Sequence, residues 1–275
     1  MAKLVFITNK VWPSSKIRGQ QLAEATGGIC DPKTIEYGDT LVLVKIFPTN
    51  IDFLGRFNNV YADVVDGDSI LEMVRHYPHI NIIAISELAK QYIECRVKNK
   101  VILIPEHHCN FDNEVRDSKK KIETVGFVGS INSLDLDPII LARELRKVGL
   151  NFAALFCDDT NVTREDVVEF YKNIDIQVCF RLPRLLKHMP PEMKNPLKIY
   201  NAGSFKIPTV SYPELNYVKE CPDAFFEASS VDRIAGICSM LVKERATYNG
   251  LADRAYKLSK SHHINIIAKK YEEFV

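Results

Sequence analysis

Two successive series of short apolar, β-branched runs, each alternating with helical patterns, constrain the fold of this chain more than any other feature. In the first half, runs at 4–8, 41–46, 60–65, 81–85 and 101–104 predict strands, and 19–25, 69–76 and 87–95 predict helices. Runs this short and this apolar suit strands covered on both faces, and their alternation with helices predicts βα units and parallel sheets. A charged segment, 113–123, is almost without apolar residues and has the composition of a linker. The alternation then restarts. Strands are predicted at 124–128, 152–156, 176–180, after Pro208 and at 225–226, with helices at 138–148, 164–173, 198–204, 231–243, 246–257 and from about 264.

This pattern predicts an α/β chain of two Rossmann-like domains facing a central cleft. The expected boundaries are 1–112 for the first domain, 113–123 for the linker, 124–260 for the second domain and 261–275 for a closing helix. Ligands of parallel sheets lie beyond the strand C-termini, so loops at those ends are the places to look for chemistry.

Composition narrows the class. No apolar run reaches the length of a bilayer span, and the first apolar stretch is cut short by Asn9 and Lys10, so it reads as a strand and not a leader. The seven cysteines are scattered, without a C-x-x-C pair, which predicts reduced thiols and a cytoplasmic protein. Residues 1–118 carry 13 basic and 15 acidic side chains, and 119–275 carry 23 and 20. Neither half has the basic excess of a nucleic-acid binder. The run 119–121 of three lysines reads as part of a solvated linker.

The segment from Lys198 to Val210 carries the most chemistry. Pro196 suits a first helical turn, the helix continues through Ser204, and Pro208 forces extended backbone into Thr209 and Val210. The helix start, with Lys198 and Asn201, therefore offers free N–H groups, partial positive charge and a full cation, a combination that favours phosphate. A helix that merely packs before a core strand is the plain alternative. Upstream lies a loop with Arg181, Arg184, Lys187 and Lys194, suited to a leaving diphosphate or simply to solvent. In the first half, Asp66 and Asp68 end a predicted strand and either can serve as a base or as a helix cap. The adjacent His107 and His108 lack a third ligand at motif spacing, so zinc is not expected. Dinucleotide, P-loop and G-x-S-x-G signatures are absent.

Lys198, Ala202, Pro208 and Val210 keep the spacing of a K-x-x-E-A-x-x-x-G-x-P-V-V run, and the stretch resembles the donor-site helix of GT-B glycosyltransferases. Asn201 stands where that family usually has glutamate, and Lys206 where glycine is usual. The stretch 123–130, ending Phe127-Val128-Gly129-Ser130, is similar to the first strand of the family's donor domain, and 261–274 resembles its closing helix. Retaining members often carry two glutamates eight positions apart; here Met193 and Asn201 occupy those places, next to Glu192.

The resemblance implies GT-B architecture and transfer of a sugar from a nucleotide-sugar donor to an acceptor, which can be a glycan, lipid, protein or nucleic acid. The donor is a co-substrate; no cofactor and no metal are implied. It assigns donor binding to Gly129, Ser130, Arg181, Lys198 and Asn201. A loop against acceptor and phosphates falls on Ser14, Ser15, Arg18 and Gly19, with Trp12 beside it. Asp66 and His107 become the candidate catalytic residues on the acceptor side. The departures at Met193 and Asn201 keep open a second reading, a non-catalytic nucleotide-sugar-binding or assembly protein on a degenerate GT-B scaffold.

Overall fold

The structure, a computed structural model, describes residues 4–9, 13–34, 40–48, 51–65, 68–117, 121–158, 161–182 and 190–274. Their chain divides into two units, each built on one parallel sheet. The first unit gathers the described residues of Met1–His107, Lys187–Asn195 and Ile264–Val275; the second gathers those of His108–Leu186 and Pro196–His263.

The first sheet contains β1 (Leu4–Thr8), β2 (Ile29–Cys30), β3 (Thr40–Val44), β4 (Asn59–Asp63), β5 (Asn81–Ala84) and β6 (Val101–Leu103), in the order β2-β1-β3-β4-β5-β6. All its pairings are parallel. The second contains β7 (Thr124–Gly129), β8 (Asn151–Phe156), β9 (Ile176–Cys179), β10 (Thr209–Ser211) and β11 (Phe225–Glu227), in the order β11-β10-β9-β7-β8, again all parallel. In both, the first strand sits between the second and the third. Winding therefore reverses between β1 and β3 and between β7 and β9, the switch points where α/β sheets open to ligands. The inner strands β1, β3, β4, β5, β7, β9 and β10 are largely buried, as their continuous apolar runs required, while β2, β6 and β8 at the sheet edges are partly exposed. The two-residue β2, after the Gly27-Gly28 turn, is too short to show in the pattern.

The first helix differs from its expected 19–25 span. It begins at Pro13, passes through a π-helical stretch, Lys16–Gln21, and ends as an α-helix, Leu22–Thr26. Gly19 lies inside the π-helical stretch and does not open a helix. A Cβ there would stand 2.3 Å from Thr8 Cγ2, so the glycine is required by close packing on β1. Arg18, expected in a phosphate loop, points into the core and is fully buried. Its Nε donates to Asp63 Oδ2 at 2.5 Å, and its Nη2 donates to the Ile104 carbonyl at 3.1 Å and to the Tyr271 hydroxyl at 3.0 Å. Burial alone works against this charge, but Asp63, with Tyr271 and Glu106 close by, outweighs it and holds the guanidinium above its usual value. Tyr271 comes from the closing helix, Ile264–Glu272, which belongs to the first unit; Phe274 just beyond it stacks on Tyr61 at 4.0 Å.

Segment 113–123 is not the solvated linker that its composition suggests. Its described residues belong to the second unit, where the Arg116 guanidinium meets Asp175 at 2.7 Å with both side chains buried. Asp175 also accepts from the Glu123 and Thr124 backbone N–H groups, and Arg116 donates to the Lys121 carbonyl. This ion pair and its ring of hydrogen bonds, with Ile122 buried in the second unit's core, hold the segment. Of the lysine run, Lys121 is exposed and pairs with Glu123, while Lys119 and Lys120 lie outside the described residues.

Removing one partner of a buried ion pair strands the other charge. Arg18→Met should therefore destabilise the protein by about 3–5 kcal/mol in urea denaturation. A loss under about 1 kcal/mol, the range of an exposed pair, would contradict the burial described.

Candidate functional site

The second unit places a strand-end glycine with positive φ at the β7/β9 switch point. β7 ends at Gly129, φ +148°, followed by Ser130 and a short 3-10 turn, Ile131–Ser133. The helix Leu197–Ser204 starts at Pro196 without a side-chain cap and brings Lys198 to the same place. Lys198 Nζ donates to Ser133 Oγ at 2.9 Å and lies 4.7 Å from the centre of the Phe127 ring. A Cβ on residue 129 would stand 2.8 Å from that nitrogen and 2.9 Å from Cε, so glycine here makes the room the lysine occupies. Lys198 is partly buried and forms no ion pair among the described residues. Burial pulls its ammonium below the usual lysine range, with the Cys179 thiol opposing and Arg181 adding to the effect.

The other residues expected to bind the donor are more committed. Ser130 Oγ donates to Asp158 Oδ1 at 2.6 Å, and the Ile131 N–H donates to Asp158 Oδ2 at 2.7 Å. These bonds hold the Asp158 carboxyl below its ordinary value, that from Ser130 most. An internal carboxylate thus occupies part of the turn assigned to phosphate. Arg181 binds Glu214 Oε2 through Nε at 2.8 Å and Nη2 at 2.7 Å, so its charge is matched. Asn201 is buried; its Oδ1 accepts from the Cys109 N–H at 2.9 Å, while its Nδ2 makes no hydrogen bond among the described residues. Gly129, Ser130 and Lys198 are brought together, and Asn201 sits one turn further along the same helix.

The candidates of the first unit are mostly turned inward. Ser14 and Ser15 are buried; Ser15 Oγ donates to the Asn9 carbonyl, and Ser14 Oγ has no partner among the described residues. Arg18 is spent on Asp63, and Gly19 on packing against Thr8. His107, expected as a candidate catalytic residue on the acceptor side, is buried, with Nε2 2.9 Å from the Ile17 carbonyl. An Nε2–H given to that carbonyl anchors the first helix and is not free to take a proton. Lys194, placed by its sequence neighbours in the basic loop, is buried in the first unit. Asp66, Trp12, Arg184 and Lys187, and the Asp68 side chain, lie outside the described residues. Among the described residues no group of three His, Cys, Asp or Glu side chains is arranged to hold a metal ion.

Sequence reasoning missed Ser133, Asp158, Glu214 and Asp63. Asp63 at the end of an apolar strand was the one visible sign, since a carboxylate there needs a partner.

No protein-family model matches the chain, and no curated protein matches it in sequence. Solved structures do match in fold. HepE from Anabaena, in complex with UDP-glucose, superposes with a TM-score of 0.68 at 10% identity, over 100% of this chain and 99% of that one. A glycosyltransferase from Rickettsia africae ESF-5 gives 0.62 at 10%, over 99% and 97%. Sucrose-phosphate synthase from Thermosynechococcus elongatus gives 0.58 at 10%, over 99% and 98%. The fold is the GT-B fold, two Rossmann-like α/β domains in one chain.

A lysine held below its ordinary value is disfavoured as a cation in the folded state. That penalty is complete below the folded value and fades as pH rises from there to about 10.5, the unfolded value. The wild type should therefore gain stability relative to Lys198→Met across this window, in urea denaturation at neutral and alkaline pH. A constant or widening deficit would contradict the assigned seat.

Proposed function

We propose that this chain is a glycosyltransferase that takes its sugar from a nucleotide-sugar donor, with the donor diphosphate at Lys198. The observation that carries this reading is a partly buried ammonium at a parallel-sheet switch point, beside a glycine that makes room for it, with no carboxylate in ion-pair contact among the described residues. A diphosphate supplies the missing counter-charge. Hydrogen bonds between charged partners contribute about 1.5–3 kcal/mol, and such a cation is worth most as negative charge builds on the leaving group. Backbone N–H groups at the Gly129 turn and the Asn201 Nδ2 can complete the cradle, and Arg181 can reach the phosphates if it leaves Glu214. The neighbours of known structure include proteins solved with UDP and with UDP-glucose, which makes UDP the first ligand to try.

With Lys198 as the cation on the diphosphate, transfer is expected to persist in EDTA. On the acceptor side Asp66 keeps its candidacy as base, and His107 is reassigned to holding the first helix. Asp66→Asn should lower turnover with donor affinity unchanged. No described helix is long and apolar enough to cross a membrane, and all seven cysteines are free, which suits a reducing cytoplasm.

UDP should raise the melting temperature by mass action. Lys198→Ala should weaken UDP binding about tenfold or more, as loss of one charge-assisted contact does. Affinity should also fall as pH rises through the lowered lysine value, and Lys198→Arg, which cannot lose its proton, should flatten that dependence. Equal affinity for wild type and Lys198→Ala would refute the site.

The second reading, a binding protein without turnover, draws on Asn201, whose amide cannot supply the carboxylate that the family usually has there. Slow donor hydrolysis distinguishes the two: a transferase releases sugar from its donor in the absence of acceptor, and a binding protein holds the donor intact.

A further inference from the structure

We propose that Gln177 is the positioning residue of the Lys198 site, an assignment that rests on the reading of Lys198 as the diphosphate ligand. Gln177 lies in β9, fully buried between Ile176 and Val178, with Gly126 and Thr209 as its cross-strand neighbours. An amide in the middle of an apolar parallel strand costs stability unless its polar atoms are all bonded. Here they are. Its Oε1 accepts from the Tyr171 hydroxyl at 2.6 Å. Its Nε2 donates to the Lys198 carbonyl at 2.9 Å, to Thr209 Oγ1 at 3.2 Å, and towards Cys179 Sγ at 3.3 Å.

The direction of these bonds gives the residue its role. Tyr171 holds the oxygen side of the amide, so the NH2 side faces the helix Leu197–Ser204. The bond to the Lys198 carbonyl ties the first turn of that helix to the central strand of the sheet. No side chain caps the helix start, so this tie is what sets the height of the turn. That height decides whether Nζ reaches Ser133 Oγ and the space left by Gly129. A valine or isoleucine, the ordinary choice for a central parallel strand, would pack as well but leave the lysine turn untethered.

The test uses Gln177→Met, which keeps length and loses every hydrogen bond, and Tyr171→Phe, which loosens the same network without touching the Lys198 carbonyl. Both should lower the melting temperature. UDP affinity should fall about tenfold or less in Gln177→Met, as expected for one neutral hydrogen bond, and stay near wild type in Tyr171→Phe. On a Lys198→Ala background, Gln177→Met should cause no further loss of affinity, because it acts through the lysine. An equal loss on both backgrounds, or affinity losses that simply follow melting temperature across the variants, would overturn the proposal.

A second measurement needs no nucleotide. After reductive 13C-methylation, the Lys198 NMR signal, assigned by its absence in Lys198→Ala, should titrate below the other lysines. In Gln177→Met its midpoint should move up toward the ordinary lysine value as the ammonium leaves its seat. An unmoved midpoint would overturn the positioning role even if the wild type bound no UDP, an outcome that would by itself refute only the proposed function.

Discussion

A cation without an ion-pair partner is an expensive thing to enclose, and the switch point of the second unit is arranged around one. Lys198 has a serine hydroxyl, an aromatic face and a thiol for company, and no carboxylate bonded to it. The surrounding choices follow from that. β7 ends in glycine at φ +148°, where a Cβ would be strained and would crowd the ammonium from its seat. The helix that carries the lysine begins at Pro196 without a side-chain cap, so no side-chain oxygen comes between its first turn and the lysine. Arg181, the other cation nearby, is paired with Glu214, and of the two Lys198 is the one without an ion pair among the described residues.

The two units make an instructive pair because they share one winding order and treat their cations oppositely. Each sheet reverses between its first and third strands, and each follows its first strand with polar residues. In the first unit the cation is Arg18, closed off by Asp63, the Ile104 carbonyl and the Tyr271 hydroxyl. Through Nε and Nη2 the guanidinium binds the closing helix to the sheet, although its Nη1 has no partner among the described residues; it is a structural clasp. In the second unit the cation is left incomplete. The same topology thus carries a fully buried, ion-paired cation at one switch point and a partly buried cation without an ion pair among the described residues at the other.

Much of this was legible in the residues. The alternation of β-branched runs with helical periods located ten of the eleven strands among the described residues, since buried parallel strands have to be apolar. The Lys198 segment announced its helix, turn and strand through Pro196, Pro208 and Val210. Gly129 and Ser130 were visible as a strand end. Pairings between distant residues were not visible. Arg18 reads as a loop cation until Asp63, forty-five positions away, is seen beside it. Arg116 reads as part of a solvated linker until Asp175 closes on it. His107 reads as a candidate catalytic residue until Ile17 is found against its Nε2. Composition reports how polar a segment is, and it carries no record of which partner will make that polarity tolerable inside a fold. Gln177 shows the same limit from the other side: a glutamine in an apolar strand is a visible oddity, but its purpose depends on a carbonyl twenty-one residues on.

The central claim is that Lys198 waits for a diphosphate, and a crystal structure of the protein with UDP tests it most directly. The account predicts a phosphate oxygen within hydrogen-bonding distance of Lys198 Nζ, about 2.7–2.9 Å, lying over the Gly129 turn at the β7/β9 switch point. UDP bound elsewhere, or Lys198 unchanged on Ser133 with no phosphate in reach, would contradict it.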